Sequence, residues 1–376
     1  MANVKISQLT AGSALTGAEE IPVVQGSSTV KTTAQDIADL ASGGGPVMPT
    51  FSFVTTNNIN PGYYFDNYLI NSNINGVVLS GYTKTGALTI NSSNYNSITS
   101  FTSDVEILQN FQTNFANLTT LSLPNLVAIQ NQFNPGSPLI TDLGASLPSL
   151  QRVGSGFSIN SSLNILNLNF PNITYLGSLT LNNNNPSVVT SINFSNLVSV
   201  GQAINISNQT AVTTFNFNSL ATAFAQISIS SLTSLTNIAF VNLTTLNNNN
   251  NATALSVQSC TALFSFIMPS IVRIYSSGGN TINFSSGTPN LTVFGFGSGL
   301  KQIGGTSGNV IFTSCSLSQS SVDGILVSLA ALDGTNGTTS FNNRTVTITG
   351  TSATPSATGL AAKAVLQGRG CTVTNN

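Results

Sequence analysis

Between Leu118 and Leu317, short apolar stretches return in a fixed order. "LTTLSLPNLVAI" begins at Leu118, "LPSLQRVGSGFSI" at Leu147, "VTSINFSNLVSVGQAINI" at Val189, and "VTTFNFNSLATAFAQISI" at Val212. Related stretches begin at Leu163, Leu235, Leu263 and Leu291. The shared skeleton is apolar-x-x-apolar-x-apolar, a gap of two or three residues, apolar-x-x-apolar, often a glycine, then apolar-x-apolar. Phased on the second apolar position (Leu166, Ile192, Phe215, Ile238, Phe266, Phe294), the steps are 26, 23, 23, 28 and 28 residues. Apolar-x-apolar is the period-two signature of a strand with one face turned inward. Each unit carries two such strands, for example Leu166/Leu168 and Leu179/Leu181. A single coil cannot cover its own apolar side, so coils must stack, each strand pairing with its counterparts above and below.

Periods of about 20–29 residues with this leucine spacing mark leucine-rich-repeat solenoids. The units resemble the irregular repeats of bacterial surface leucine-rich proteins and the receptor L domain. The expected fold is therefore mainly β: a leucine-rich-repeat-like β-solenoid over 98–317, with a small N-terminal attachment module and an α/β C-terminal cap. That span divides into roughly nine coils, a rod of about 40–45 Å at about 4.8 Å per strand.

The runs "NNNN" at 182–185 and "NNNNN" at 247–251 read as turns of this repeat, since both are flanked in phase. Three residues after the inward Leu181 comes Asn184; at the same offset stand Cys260 and Cys315. An amide there would bond the turn backbone, and Asn tolerates the left-handed conformation that tight corners need. Gln209, Leu232 and Gly287 interrupt the rule, so any ladder is discontinuous.

The ends differ from the middle. "SLSQSSVDGILVSLAALDG" predicts a helix from Ser320, with Asp323 completing a capping box and Gly334 ending it. A strand is expected at 345–349, a second helix from Pro355 to before Gly368, and a last strand "CTVT". This 318–376 segment would cap the open end of the stack, and it resembles the C-terminal ends of leucine-rich proteins encoded by tailed phages and marine bacteria. At the other end, "EIPVVQGSSTVKTT" predicts a hairpin with strands at 21–24 and 29–32. "TAQDIADLA" predicts a short helix, and "SGGG" at 42–45 a flexible joint. The whole of "KISQLTAGSALTGAEEIPVVQGSSTVKTTAQDIADL" closely resembles the opening of many tailed-phage virion proteins, in which it fixes the protein to the particle. The resemblance implies a docking module, residues 1–45, with Ile6, Leu9, Leu15, Ile21, Val23, Val24, Ile37 and Leu40 as its buried residues. Between module and repeat, 46–97 reads as a cap or linker domain. Tyr63, Tyr64, Tyr68 and Tyr82 there are core or cap residues on one reading and receptor or interface aromatics on the other.

Charge bounds the chemistry. Only 5% of the 376 residues are charged and the net charge is −1, against about 25% charged in an ordinary domain. Nothing here pulls toward nucleic acid or an anionic membrane. No apolar stretch approaches the ~18 residues of a membrane span, and "MANVKISQLT" lacks a signal-peptide core. With no histidine in the chain, Ser-His-Asp, Cys-His and histidine-metal chemistry are excluded. Asp142, Arg152, Arg273 and Lys301 are the only charges between Leu118 and Leu317, so a paired-carboxylate glycosidase site is not expected there. Asp104 and Glu106 read as surface charge on one strand face. The expectation is a protein without enzymatic activity, cofactor or metal. Together the resemblances imply a virion structural protein, a tail fibre or appendage that docks by its N-terminus and adheres to a host surface glycan or protein through the solenoid. Phage fibres imply a homotrimer by analogy. A head fibre or capsid decoration protein, and a bacterial surface adhesin, are the alternatives.

Overall fold

A computed structural model describes residues 20–25, 28–33, 76–79, 87–90, 99–113, 117–136, 139–159, 165–182, 188–248, 253–305 and 308–376. The chain divides into two compact units, Met1–Pro49 and Thr50–Asn376. In the first, strands Glu20–Gln25 and Ser28–Thr33 pair antiparallel, with Val23 opposite Val30. This is the expected hairpin, one residue longer at each strand end. Ile6, Leu9, Leu15, Ile37 and Leu40 lie outside the described residues, as do the side-chain positions of Ile21, Val23 and Val24.

The second unit is a stack of parallel rungs, mainly β, of the β-solenoid kind. Each full rung has three strips, one more than the periodicity predicts. The first strip holds short strands such as Asn167–Asn169, Ser191–Asn193 and Thr214–Asn216, whose inward residues Leu168, Ile192 and Phe215 are in register. The second strip holds strands only two residues long at Ser199–Val200 and Thr222–Ala223. Two residues are too few to show alternation, which is why this strip is invisible to a pattern search. The third strip is the long one. Among the described residues it has twelve rungs, in register from Ala87–Ile90 through Ile204–Ser207 and Ile227–Ser230 to Thr372–Asn375.

Two tight turns close each rung. After the first strip the sequence apolar-x-x-apolar forms a turn in which the fourth residue's N–H donates to the first residue's carbonyl: Leu197 to Phe194, Leu220 to Phe217, Leu243 to Phe240. After the third strip the same bond joins Val212 to Gln209, Leu235 to Leu232 and Leu263 to Cys260. Side chains of the first turn reach the neighbouring rung. Asn172 donates to the Pro148 carbonyl at 2.7 Å, and Asn242 to the Asn218 carbonyl at 2.8 Å.

The register corrects the expected phase. Leu168, not Leu166, pairs with Ile192. Leu166 therefore aligns with Thr190, outside the strip, and is 49% exposed while Leu168 is 1% exposed. Leu179 and Leu181 are both inward, as expected.

A chain of phenylalanines runs through the core. Ring centroids are 5.3 Å apart for Phe111–Phe133, 4.8 Å for Phe133–Phe157, 5.7 Å for Phe157–Phe194 and 5.4 Å for Phe194–Phe217. The contacts continue through Phe240, Phe266 and Phe284 to Phe312 at 6.1, 6.0, 5.3 and 5.0 Å. Such pairs add about 0.5–1.5 kcal/mol each beyond the area they bury, which compensates for a stack with few ion pairs to call on.

Helices replace first-strip strands at the C-terminal end. Helix Gln319–Ala330 takes the place after Val293–Phe296: its Ser321 hydroxyl accepts from the Phe294 N–H at 3.1 Å and donates to the Thr292 carbonyl at 3.1 Å. Its N-cap is Ser318, two residues before the expected Ser320. Asp323 does not close a capping box; its carboxylate accepts from the Ser356 N–H at 2.9 Å, joining the first cap helix to the start of the second. That second helix spans Ala357–Gly368, so Gly368 is its last residue rather than its stop, and Gly370 at φ +76° turns the chain. Asp104 and Glu106 flank the buried Val105 between strands rather than sharing a strand face.

Candidate functional site

The corners explain where asparagine matters. Asn208, Ser231, Ser259 and Ser314 all have φ between 54° and 63°, each two residues after the last inward residue of its long strand. Gly350 holds the same place with φ +94°. A left-handed residue costs roughly 1–2 kcal/mol when it is not glycine. Here its N–H is turned onto the next rung: Asn208 donates to Ser230, Ser231 to Gln258 and Ser259 to Ser286. The left-handed position is thus one residue earlier than the offset marked by Asn184, which lies outside the described residues. The marked offset is an inward one. Gln209 donates to the Ser207 carbonyl at 3.1 Å, Cys260 to Gln258 at 3.3 Å and Cys315 to Thr313 at 3.7 Å, each two residues back. Glutamine and cysteine do there what asparagine was expected to do. One extra residue shifts the rung at 284: Gly287 becomes left-handed at φ +69° and Thr288 turns inward, 3.3 Å from the Cys315 sulfur. Asparagine ladders occur elsewhere, between Asn182 and Asn208 at 3.1 Å and between Asn169 and Asn193 at 2.7 Å.

Burial pushes both the Cys260 and the Cys315 thiol up from 9.0 to about 11. Unfolded thiols ionise from pH 9, whereas the folded ones stay neutral toward pH 11, so this contribution to stability is intact below pH 9 and is lost as pH rises through that window. The denaturant midpoint of the wild type should fall more steeply over pH 9–11 than that of a Cys260→Val/Cys315→Val variant. Native protein should also resist alkylation at pH 8.

The outward face of the long strip is the candidate binding surface. Register places Gln112, Asn134, Ser158, Thr180, Asn205, Ser228, Ser256 and Asn283 in one line across successive rungs. A second line, Asn182, Ser207, Ser230 and Gln258, runs beside it. Every member is uncharged and carries an amide or hydroxyl. At the near end Asn110, Phe111, Gln112, Gln132 and Asn134 line an open hollow of about 220 Å³. The repeat's scarce charges lie elsewhere. Arg152 and Arg273 point outward from the second strip, in line with Tyr175, Ser199, Thr222 and Thr245. The Arg152 guanidinium sits 4.1 Å from the Tyr175 ring centroid. Asp142 caps the short helix Leu143–Ser146 through the Ala145 N–H.

Tyr63, Tyr64, Tyr68 and Tyr82, singled out from sequence, lie outside the described residues. Sequence reasoning passed over Phe224, Phe264 and Tyr275. Phe224 and Phe264 are 51% and 50% exposed; both sit inside apolar runs, so pattern alone assigns them to the core. Among the described residues no three potential metal ligands come together, and no helix is long and apolar enough to cross a membrane. No family model, curated protein or solved structure matches the chain.

Proposed function

We propose that this chain is a structural component of a tailed-phage virion, built on a leucine-rich-repeat-like solenoid, that docks to the particle by residues 1–45 and adheres to the host surface through the outward face of its long strip. The observation that carries the reading is the line of uncharged amides and hydroxyls from Gln112 to Asn283, in which Ser256 alone is buried. Such a face offers donors and acceptors on rungs about 4.8 Å apart, and no field to attract ions. Its ligand is one that exchanges hydrogen bonds with neutral groups, a host glycan or a polar protein surface. With so little charge in play, binding should barely change with salt.

Deleting residues 1–45 should leave a folded protein that virions fail to incorporate. Electron microscopy of particles carrying the deletion, with intact chain as control, reads this directly. Normal incorporation of the deleted form would defeat the docking half of the proposal. Absence of the intact chain from purified particles would defeat the whole.

A further inference from the structure

Where the second strip turns into the long sheet, one position per rung forms a ledge. Its members are Gly201, Phe224, Asn247, Tyr275 and Gly304, each one residue beyond the inward residue of its second strand. Ala223 is registered with Leu246 and Asn247 with Tyr275, so Phe224, Asn247 and Tyr275 occupy three consecutive rungs. The Phe224 and Gly304 N–H groups donate to Val200 and Ile274, which locks the ledge to the rungs below. Phe224 is 51% exposed, a fraction that a core phenylalanine would not show. Tyr275 is half-buried, and its ring is seated on backbone: a Cβ added at Gly305 would lie 3.1 Å from it. Glycine at 201 and 304 adds no side chain of its own at either end, and the Tyr175 hydroxyl stands over Gly201, 2.7 Å from where a Cβ would lie.

We infer that Phe224, Asn247 and Tyr275 form an aromatic–amide–aromatic subsite for a neutral linear glycan lying across the rungs. An aromatic face is the negative side of a quadrupole and attracts the polarised C–H face of a sugar ring. The two residues stand two rungs, about 10 Å, apart. They would meet every second sugar of a chain that advances by about one rung per sugar, and the Asn247 amide would address the hydroxyls between. The neighbouring line of Thr180, Asn205 and Ser228 extends the same polar surface. This deepens the adhesive reading above and rests on it. A stacked nucleic acid, the other polymer that aromatic rings accept, needs cationic tracking of its phosphates; Arg273 is the only cation in the strand that carries Tyr275.

The test is titration of the whole protein with cello-oligosaccharides and N-acetylglucosamine oligomers from disaccharide to hexasaccharide, with a polyuronate and a single-stranded DNA oligomer alongside. Affinity should rise with chain length until both rings are spanned. Phe224→Ala and Tyr275→Ala should each weaken binding about tenfold, Phe224→Tyr should retain it, and salt should leave it unchanged. The inference is overturned if no neutral oligomer binds, if the alanine variants bind like wild type, or if only the polyuronate or the DNA binds and salt abolishes it. Host-cell attachment separates the two levels. Full adhesion by the double alanine variant removes this subsite alone, whereas wild-type protein that does not adhere removes the reading beneath it.

Discussion

Phe194→Ala should destabilise the protein by about 3–5 kcal/mol, the usual cost of removing a phenylalanine from a packed core. Phe194 is fully buried and touches the rings of Phe157, Phe170 and Phe217 at 5.7, 5.6 and 5.4 Å. Its loss opens a cavity and also cuts the ring chain between rungs. In a quasi-one-dimensional stack the damage should stay local. Amide exchange should therefore accelerate first in the rungs around 167–223, with the C-terminal cap the last to follow. Phe264→Ala is the matched control: that ring is 50% exposed, and its truncation should shift stability by no more than about 0.5 kcal/mol. Equal effects at the two positions, read as shifts in denaturant midpoint, would show that the buried chain of rings is not what holds the rungs together.

Gly154→Ala is the second large effect. A Cβ there would lie 1.8 Å from the Gln130 carbonyl oxygen of the adjacent rung. Both partners are backbone, so neither can swing aside, and the strand is irregular at this point, its register slipping between Val153 and Gly156 as it leaves the second strip for the third. The expected cost is at least the 1–3 kcal/mol typical of overpacking. Two residues on, Gly156 provides the contrast. Its added Cβ would meet the Ser178 hydroxyl at 3.6 Å and the Gln132 side chain at 3.9 Å, both ordinary contacts. Gly156→Ala should be neutral, or stabilise by a few tenths of a kcal/mol through the unfolded chain. Thermal melts of the two variants measure the difference; similar melting points would mean that the rungs are not as closely spaced as described.

What was legible in the sequence was whatever repeats at the level of side-chain polarity. The apolar-x-apolar pairs Leu179/Leu181 and Ile204/Ile206 are inward because alternation is a direct consequence of strand geometry. The hairpin at 20–33 and both cap helices follow from turn and cap residues, with errors of a residue or two in where they start and stop. The phase at Leu166 failed because that unit offers two leucines, 166 and 168, two apart, and only contact with Ile192 chooses between them. The middle strip was illegible because a two-residue strand has no period. The corner was read one residue off, because the residue that must be left-handed and the residue that must be inward are adjacent, and polarity does not distinguish them. Which face is free of charge became visible only when register laid Gln112 through Asn283 in one line and set Arg152 and Arg273 on another strip. Phe224 and Tyr275 were hidden by the rule that an aromatic in an apolar run is core.

Gln112, Ser228 and Asn283 stand on one column of evenly spaced rungs. Spin labels on cysteines introduced at these sites, with the buried native thiols left unlabelled, measure it directly. Gln112 and Ser228 are five rungs apart and Gln112 and Asn283 seven, so the pair distances should be about 24 Å and about 34 Å. Distances that fail to grow from the first pair to the second, or that are equal, would contradict the stack.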